Sequence, residues 1–380
     1  MAEQAEHNMD TFQYLRLMVE KNASDLFFSV GAPVNIKIDG ITRPINVPPL
    51  PPGSTKELAY SLMNESQVRQ FEATSEMNLA LTVQDIGRFR VNVYLQRSEV
   101  AMVIRFIKSK IPTVETLGLP LLLKKLIMEK RGLVLLVGST GSGKSTTLAA
   151  MIDYRNENMT GHILSIEDPI EFVHSHKKSV VDQREVGIDT ESYEAALKNA
   201  MREAPDVIMI GEIRDRQTMQ HAIAYAETGH LCLSTLHSNN ANQAIDRIVN
   251  FFPEEAREQL LLDLSLNLKA VVSQRLIPSI DGKLVPAVEV LLNTPYIADL
   301  IHKGNMDEMK AVMAKGNELG MCTFDQSLFN LYKENKISLE EALRNADSKN
   351  DLGLRIRLSA GEFHADIDGL SLSKDNQRNI

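Results

Sequence analysis

The sequence predicts an α/β protein in which a small α+β domain precedes a larger domain built on a parallel sheet. Apolar and polar residues alternate over residues 88–95, which is typical of a strand buried on one face. After residue 119, fully apolar runs alternate with helical segments, which is typical of a parallel sheet covered on both sides. The chain has 380 residues, enough for two or three domains that each bury a core.

The first part of the chain combines short apolar runs with a proline-rich loop. Residues 47–53 read VPPLPPG, a composition typical of a turn or an exposed loop. Further along, Pro112 disfavours helix in the residue before it. These features predict an α+β domain over residues 1–108 and a linker over residues 109–118. Its strands are predicted at residues 26–30, 34–38, 88–95 and 100–107.

The second part is predicted to span residues 119–358, followed by a polar tail over residues 359–380. From residue 254 to about residue 345 the apolar spacing is mostly helical, which predicts a helical C-terminal region. Strands of the parallel sheet are predicted at residues 133–137, 163–166, 207–210 and 231–236, and helices at 119–129, 144–154, 192–203 and 216–227.

Composition excludes several classes of protein. Lysine and arginine total 41 against 50 aspartates and glutamates, so the net charge is −9, and we expect no nucleic-acid partner. Two cysteines, Cys232 and Cys322, are too few for a disulfide framework or a four-cysteine zinc site. No apolar run is long enough to span a membrane, and the first ten residues are acidic and polar. We therefore expect a cytoplasmic protein without direct membrane insertion.

A glycine-rich motif lies between a predicted strand and a predicted helix. Residues 138–145 read GSTGSGKS and match the P-loop pattern GxxxxGKS, which a chance glycine turn would rarely reproduce in this context. Its backbone N–H groups would surround phosphate oxygens at the start of the helix. We predict ATP and Mg²⁺ as cofactors, with Lys144 on the β- and γ-phosphates and the Ser145 hydroxyl on the metal ion. The predicted nucleotide-binding residues are Gly138, Ser139, Thr140, Gly141, Ser142, Gly143, Lys144, Ser145 and Thr146.

Carboxylates follow two of the predicted strands. After the strand at residues 207–210, Gly211 stands where the usual metal-side aspartate is expected, and Glu212 comes next. Glu212 is predicted to act as general base, as an outer-shell Mg²⁺ ligand, or as both; a surface glutamate at a strand end is the alternative. Residues 167–171 read EDPIE, and their carboxylates either order metal and water or form a solvated turn.

Polar side chains also follow the strand at residues 231–236. Thr235 and His237 point to the same side of the chain, where polar groups are placed to read the state of a γ-phosphate. A histidine with a purely structural role is the alternative.

The order of these motifs resembles the type II/type IV secretion ATPase superfamily. Its motifs correspond to residues 138–145 (Walker A), 166–171 (Asp box), 207–212 (Walker B) and 235–247 (His box). The words IEDPIEFVH, APDVIMIGEIRD and ETGHLCLSTLHS are similar to the PilT/PilU twitching-motility ATPases, over about residues 10–355. The resemblance implies a PAS-like N-terminal domain, a RecA-like ATPase domain and a hexameric ring. It also implies a motor that powers type IV pilus retraction from the cytoplasmic face of the inner membrane.

The same resemblance implies roles for particular residues. Glu171 and Glu212 would support Mg²⁺ and water. His237 and Arg247 would sense or stabilise the γ-phosphate. The nucleotide would sit between the two domains, and neighbouring subunits would complete its site. The N-terminal arginines that match those reaching the phosphates in the family are Arg90 and Arg105. From its strand position alone, Arg90 is equally consistent with an ordinary solvated arginine.

One segment departs from the family pattern. PilT proteins carry a motif resembling AIRNLIRE, whereas residues 296–303 read YIADLIHK, which keeps the apolar spacing but not the charges. Together with the word LGMCTFDQSLFNLY, this resembles the PilU branch, which is generally regarded as accessory to PilT. We therefore expect a homo-oligomer whose partners are a PilT-like retraction ATPase and an inner-membrane platform protein of the pilus.

Other functions remain open at this point. A pilus assembly or secretion ATPase of the same superfamily fits poorly, because most such enzymes carry a four-cysteine zinc module and additional N-terminal domains. A DNA-translocating motor is disfavoured by the acidic charge. A nucleotide-gated structural subunit would bind ATP and shape a ring while hydrolysing it too slowly to act as a motor.

Overall fold

The computed structural model describes residues 10–38 and 40–359 and contains two β-sheets. The first sheet has six strands and the second has seven. In sequence, the first sheet precedes the predicted linker and the second follows it. The predicted α/β fold class is confirmed, while the exact domain boundaries stay predictions. The predicted polar tail lies outside the described residues except for Ser359, which ends the last helix.

The first sheet is antiparallel throughout. Its region contains α1 (Thr11–Glu20), β1 (Asp25–Phe28), β2 (Asn35–Ile38), β3 (Ile41–Pro44), α2 (Ser54–Tyr60), α3 (Glu65–Thr74), β4 (Glu76–Val83), β5 (Gly87–Gln96) and β6 (Glu99–Ile107). The strand order is β3-β2-β1-β6-β5-β4. On β5, Phe89, Val91 and Val93 are fully buried, as the alternation predicts, whereas Leu95 near the end of the strand is exposed. Arg90 therefore lies on the opposite face of this strand.

The second sheet is parallel except for one edge strand. Its region contains α4 (Leu122–Ile127), β7 (Gly132–Val137), α5 (Lys144–Asn158), β8 (Gly161–Glu167), β9 (Ser179–Glu185), α6 (Tyr193–Ala200), β10 (Val207–Ile210), α7 (Arg216–Glu227), β11 (Leu231–Leu236), α8 (Ala241–Asn250), α9 (Glu254–Asn267), β12 (Leu268–Pro278) and β13 (Leu284–Leu292). The strand order is β13-β12-β7-β11-β10-β8-β9. Every residue of β7, β10 and β11 is buried, as their apolar sequences predict.

The prediction of a mostly helical region from residue 254 is wrong for β12 and β13. These strands pair with each other antiparallel, and β12 also pairs with β7 in parallel. Periodicity alone does not separate a buried strand from a buried helix segment, because both are apolar throughout. Strand β9 was not predicted either, because its sequence SVVDQRE contains only two consecutive apolar residues; pairing with β8 holds it in the sheet.

Helices dominate the chain after β13. They are α10 (Pro295–Lys303), α11 (Met309–Lys315), α12 (Phe324–Lys333), α13 (Leu339–Asn345) and α14 (Lys349–Ser359). Helix α10 begins with Thr294 as its N-cap and buries Ile297, Leu300 and Ile301. Among the residues that the structure describes, no helix is long and apolar enough to cross a membrane.

Candidate active site

The site lies where four neighbouring strands of the second sheet end. Strands β7, β11, β10 and β8 are adjacent and parallel, so the segments that follow them emerge at one edge of the sheet. These segments are the P-loop, the segment with His237, the segment with Glu212 and the turn at residues 167–171. Motifs separated by up to about 100 residues in sequence thereby reach one place, as the resemblance implies.

The P-loop has a shape that only glycine permits at its helix end. Gly143 is the N-cap of α5 with a φ of 88°, and the helix receives no side-chain cap. A Cβ atom at this position would lie 2.7 Å from Nε2 of Gln274, a buried residue of β12. The Oε1 atom of Gln274 in turn accepts a hydrogen bond from the Thr147 hydroxyl at 2.7 Å. Gln274 therefore packs against the loop from the side of β12. Because no side chain caps α5, its first N–H groups are left for a ligand.

Lys144 already lies inside the loop. Its Nζ donates hydrogen bonds to the carbonyl oxygens of Gly138 at 2.8 Å and Ser139 at 2.9 Å. The side chain is buried, and burial lowers the pKa of Lys144, against the attraction of Glu212 and Glu171. The ammonium group is thus held inside the loop, at the position where phosphates are expected.

A cavity of about 270 Å³ opens beside the P-loop. It is bordered by most of the side chains predicted for nucleotide and metal binding. These include Thr140, Gly141, Lys144, Ser145, Glu171, Glu212, Thr235 and His237. Gly138, Ser139 and Ser142 instead border a second space on the other side of the loop. The structure therefore brings together Glu171, Glu212 and His237, the three acid–base candidates that separate motifs predict.

Glu212 has a charged or polar partner at each carboxylate oxygen. Its Oε1 is 3.1 Å from Nε2 of His237, and its Oε2 accepts a hydrogen bond from Nε of Arg214 at 2.8 Å. The hydrogen bond to Glu212 raises the pKa of Arg214, whose Nη1 also lies 3.6 Å from Oδ2 of Asp168. These contacts fix the direction of the Glu212 carboxylate, and its role in the reaction stays a prediction.

Gly211 replaces the expected aspartate for a steric reason. A Cβ atom here would lie 2.8 Å from the hydroxyl of Tyr193, which also borders the cavity. The backbone carbonyl of Gly211 accepts a hydrogen bond from the Thr235 hydroxyl at 2.7 Å. Thr235 therefore ties the end of β11 to the end of β10, so His237 and Glu212 keep their relative position.

The turn after β8 holds carboxylates in two different environments. Glu167 is buried, and burial raises its pKa to about 7. It accepts hydrogen bonds from the Ser165 hydroxyl at 2.7 Å and from Nε2 of Gln183 at 3.0 Å. Glu171 borders the cavity, as do Glu167 and Asp168. The assignment of Glu171 to a ligand of Lys144 therefore stays a prediction.

The three predicted arginines lie outside this cavity in their own chain. Arg247 donates from Nη1 to the carbonyl of His237 at 2.8 Å and borders a neighbouring groove with Ser139. Arg105 donates from Nε to Oδ1 of Asp25 at 2.7 Å. Arg90, paired across the sheet with Arg105, is 3.9 Å from Oε1 of Glu185. Only Arg247 is attached to a cavity residue.

Sequence reasoning did not identify four residues of the site. Arg214 carried a signal, since it follows Glu212 by two residues in GEIRD. His174 also carried one, as the last residue of the word IEDPIEFVH, whereas Tyr193 and Gln274 gave none, because their approach to the cavity or to the P-loop depends on the fold. His174 borders the cavity, its Nδ1 has no hydrogen-bond partner among the described residues, and burial lowers its pKa to about 4.

The residues present fit a nucleotide with a Mg²⁺ ion. A buried lysine, uncapped N–H groups and a serine hydroxyl are suited to phosphate and to the metal ion. The described residues contain no group of three acidic, histidine or cysteine side chains that would hold a metal by themselves. This agrees with Mg²⁺ chemistry in such sites, where phosphate and water oxygens supply most ligands.

Comparison with known proteins identifies the family. The family model "Type II/IV secretion system protein" matches residues 7–327. The chain belongs to this family. The type IV pilus ATPase PilU of Pseudomonas aeruginosa is 56% identical over 96% of this chain and 94% of its own length. The type IV pilus retraction ATPase PilT of the same organism is 44% identical over 89% of this chain and 98% of its own.

A solved structure agrees with these relatives. The crystal structure of the pilus retraction motor PilT with bound ADP matches with a TM-score of 0.86 and 41% identity, over 91% of this chain and all of that one. The predicted resemblance to PilT/PilU-type pilus ATPases is therefore confirmed, as is the prediction that the chain is an ATPase. The roles of individual site residues stay predictions.

Proposed function

We propose that this chain is an ATP-hydrolysing motor subunit of the type IV pilus machinery that supports pilus retraction and twitching motility. The observation that carries the proposal is the cavity in which Lys144, Glu171 and Glu212 meet. The similarity to pilus ATPases over nearly the whole chain supports the cellular role. A retraction motor solved with bound ADP supports nucleotide binding by this chain.

In this proposal the P-loop binds the phosphates of ATP. Lys144 would exchange its two carbonyl partners for β- and γ-phosphate oxygens. Hydrogen bonds from its ammonium group to charged phosphate oxygens are stronger than those to neutral carbonyl oxygens. The Ser145 hydroxyl would hold Mg²⁺, with Glu171 and Glu212 supporting it through water. Bound there, Mg²⁺ would neutralise charge on the phosphates.

Glu212 is the proposed general base. Its carboxylate would accept the proton of the attacking water while His237 keeps its direction. Arg214 holds the other oxygen, and would have to share or release it as water approaches. Arg247, which is hydrogen-bonded to the His237 carbonyl, would respond to loss of the γ-phosphate through the segment that contains His237.

We further propose that the chain acts in a homo-oligomeric, hexameric ring. Arg90 and Arg105 lie on adjacent strands outside their own cavity, which supports a role toward a neighbouring subunit. There they would stabilise charge on the transferring γ-phosphoryl group. The ring would work in the cytoplasm, recruited to the pilus base at the inner membrane.

The accessory role is proposed from α10. Its outer side presents Tyr296, with Asp299 and Lys303 paired at 2.7 Å. An ion pair within the helix leaves less free charge for a platform protein than the PilT motif would. The chain would then need a PilT-like partner to contact the platform, while supplying force from its own hydrolysis.

Phosphate release by the purified chain tests the enzymatic part of the proposal. Wild-type protein should hydrolyse ATP, and Lys144→Ala should abolish productive binding without unfolding the protein, because this lysine contacts loop carbonyls and the ligand. Normal binding and hydrolysis in Lys144→Ala would refute the P-loop assignment.

Retraction in cells tests the accessory part. The chain should retract pili beside a PilT-like partner whose own Walker lysine is replaced, and should fail without that partner. Retraction with no partner would make it an independent motor. Failure beside a dead partner that assembles would leave it a regulatory or structural subunit.

A further inference from the structure

Glu185 is a buried carboxylate that the proposed chemistry does not use. It ends β9, and its side chain is 1% exposed. Its Oε2 accepts only a long hydrogen bond from the Ile170 N–H at 3.4 Å, and Oε1 has no hydrogen-bond partner among the described residues. A carboxylate in such a position needs a nearby cation to remain charged.

The cations come from the other sheet. Arg90 of β5 places its Nε 3.9 Å from Oε1 of Glu185. Arg88, two residues earlier on the same face of β5, has a buried Nε without a hydrogen-bond partner in the described part of the chain. Burial raises the pKa of Glu185, and both arginines oppose that rise. The charge of Glu185 is thus compensated across the boundary between the two sheets.

A second contact joins the same two regions. The N–H of Val173 donates to the carbonyl of Lys108 at 3.2 Å, just after β6. The turn is therefore attached to the N-terminal region at Ile170, through Glu185, and again at Val173. Glu171 lies between these two attachment points and borders the cavity. A shift of the N-terminal sheet would be transmitted to both sides of Glu171.

We propose that Glu185 is a positioning residue that makes the placement of Glu171 depend on the docking of β5. The inference rests on the proposed function, because Glu171 is assigned there to Mg²⁺ and water. The N-terminal region would then control the position of Glu171 in its own chain, in addition to any role of its arginines toward a neighbouring subunit.

Thermal unfolding of nucleotide-free protein tests the contact. Arg90→Gln should lower the Tm by about 2 °C or more, because it leaves a buried carboxylate short of a cation. Adding Glu185→Gln should recover part of that loss, since the double variant buries no unpaired charge. A double variant that falls by the sum of the single losses would overturn the proposal.

Binding of a fluorescent ADP analogue tests the positioning. Because ADP has no γ-phosphate, any action of Arg90 on that group does not affect this measurement. Mg²⁺ should tighten ADP binding to the wild type, and Glu171→Gln should reduce that gain. Glu185→Gln and Arg90→Gln should each reduce it about threefold, and the double variant no further, as for residues in one network. Arg90→Lys, which keeps the charge, should restore most of it.

A matched control lies one residue away. Arg184 pairs with Glu203 at 2.7 Å, and Arg184→Gln removes an ion pair from β9 without touching Glu185. It should leave the Mg²⁺ effect unchanged; an equal loss there would overturn the proposal. If Glu171→Gln reduces the Mg²⁺ effect but Glu185→Gln does not, only the positioning role fails. If Glu171→Gln has no effect, the assigned role of Glu171 fails first, and the positioning role with it.

Discussion

Replacing Glu212 with glutamine separates chemistry from folding at this site. The amide keeps the size of the side chain but cannot accept a proton from water. It can still accept a hydrogen bond from Arg214 through its single oxygen, whereas the carboxylate receives contacts at both oxygens. The nucleotide contacts of Lys144 are not touched by the change.

The structure gives a magnitude for each effect. Losing a general base lowers turnover by about 10² or more. A charged hydrogen bond contributes about 1.5–3 kcal/mol when shielded. The Arg214 side chain is 56% exposed, however, so the cost to stability should be about 1 kcal/mol or less. That corresponds to a Tm decrease of about 2–4 °C or less for a domain of this size.

Three measurements on one preparation check this prediction: phosphate release, binding of a fluorescent ADP analogue and thermal unfolding. Glu212→Gln should lose turnover while keeping ADP affinity and nearly all of its Tm. Glu203→Gln is the matched control, because it neutralises an ion-paired glutamate that does not border the cavity. Parallel loss of binding and turnover, or turnover close to wild type, would show that Glu212 supports the fold rather than the reaction.

Three further predictions use other parts of the site. Gly211→Ala should lower stability by about 1–3 kcal/mol because its Cβ meets the Tyr193 hydroxyl, and Tyr193→Phe should recover part of the loss in thermal unfolding. Burial lowers the pKa of His174 to about 4, so its contribution to stability is lost as pH falls from about 6.5 toward 4. His174→Gln should therefore flatten the fall of Tm over this range, and an unchanged slope would contradict that origin. Arg90→Ala should lower turnover more than nucleotide affinity, and mixing it with Lys144→Ala subunits should restore partial activity; no recovery in demonstrated mixed rings would favour action within one chain.

Local sequence was sufficient for the elements with a strong local signal. The P-loop needs glycines at particular backbone positions and a helix directly after a strand, and both requirements are written in consecutive residues. Helix α7 was predicted at its observed bounds, and in the structure Asp215 caps it. Local motifs likewise identified the carboxylates that follow β8 and β10, although their common position beside the cavity depends on the fold.

Strands β12 and β13 show where local signals end. Their apolar residues are equally compatible with a buried helix, and only pairing with β7 selects the strand. Gln274, which supports the P-loop, depends on that pairing. Its role therefore could not be predicted from the motif that it serves.

The sequence by itself determined the chemistry of this protein: a lysine, a serine and separate carboxylates in the order of a pilus ATPase. The tertiary structure decided which of these groups meet and what restrains them. Gln274 against Gly143, Tyr193 against Gly211 and Arg90 beside Glu185 are contacts between segments that carry no mutual signal. Such contacts arise from packing of distant elements, and their energies depend on burial that only the folded chain provides.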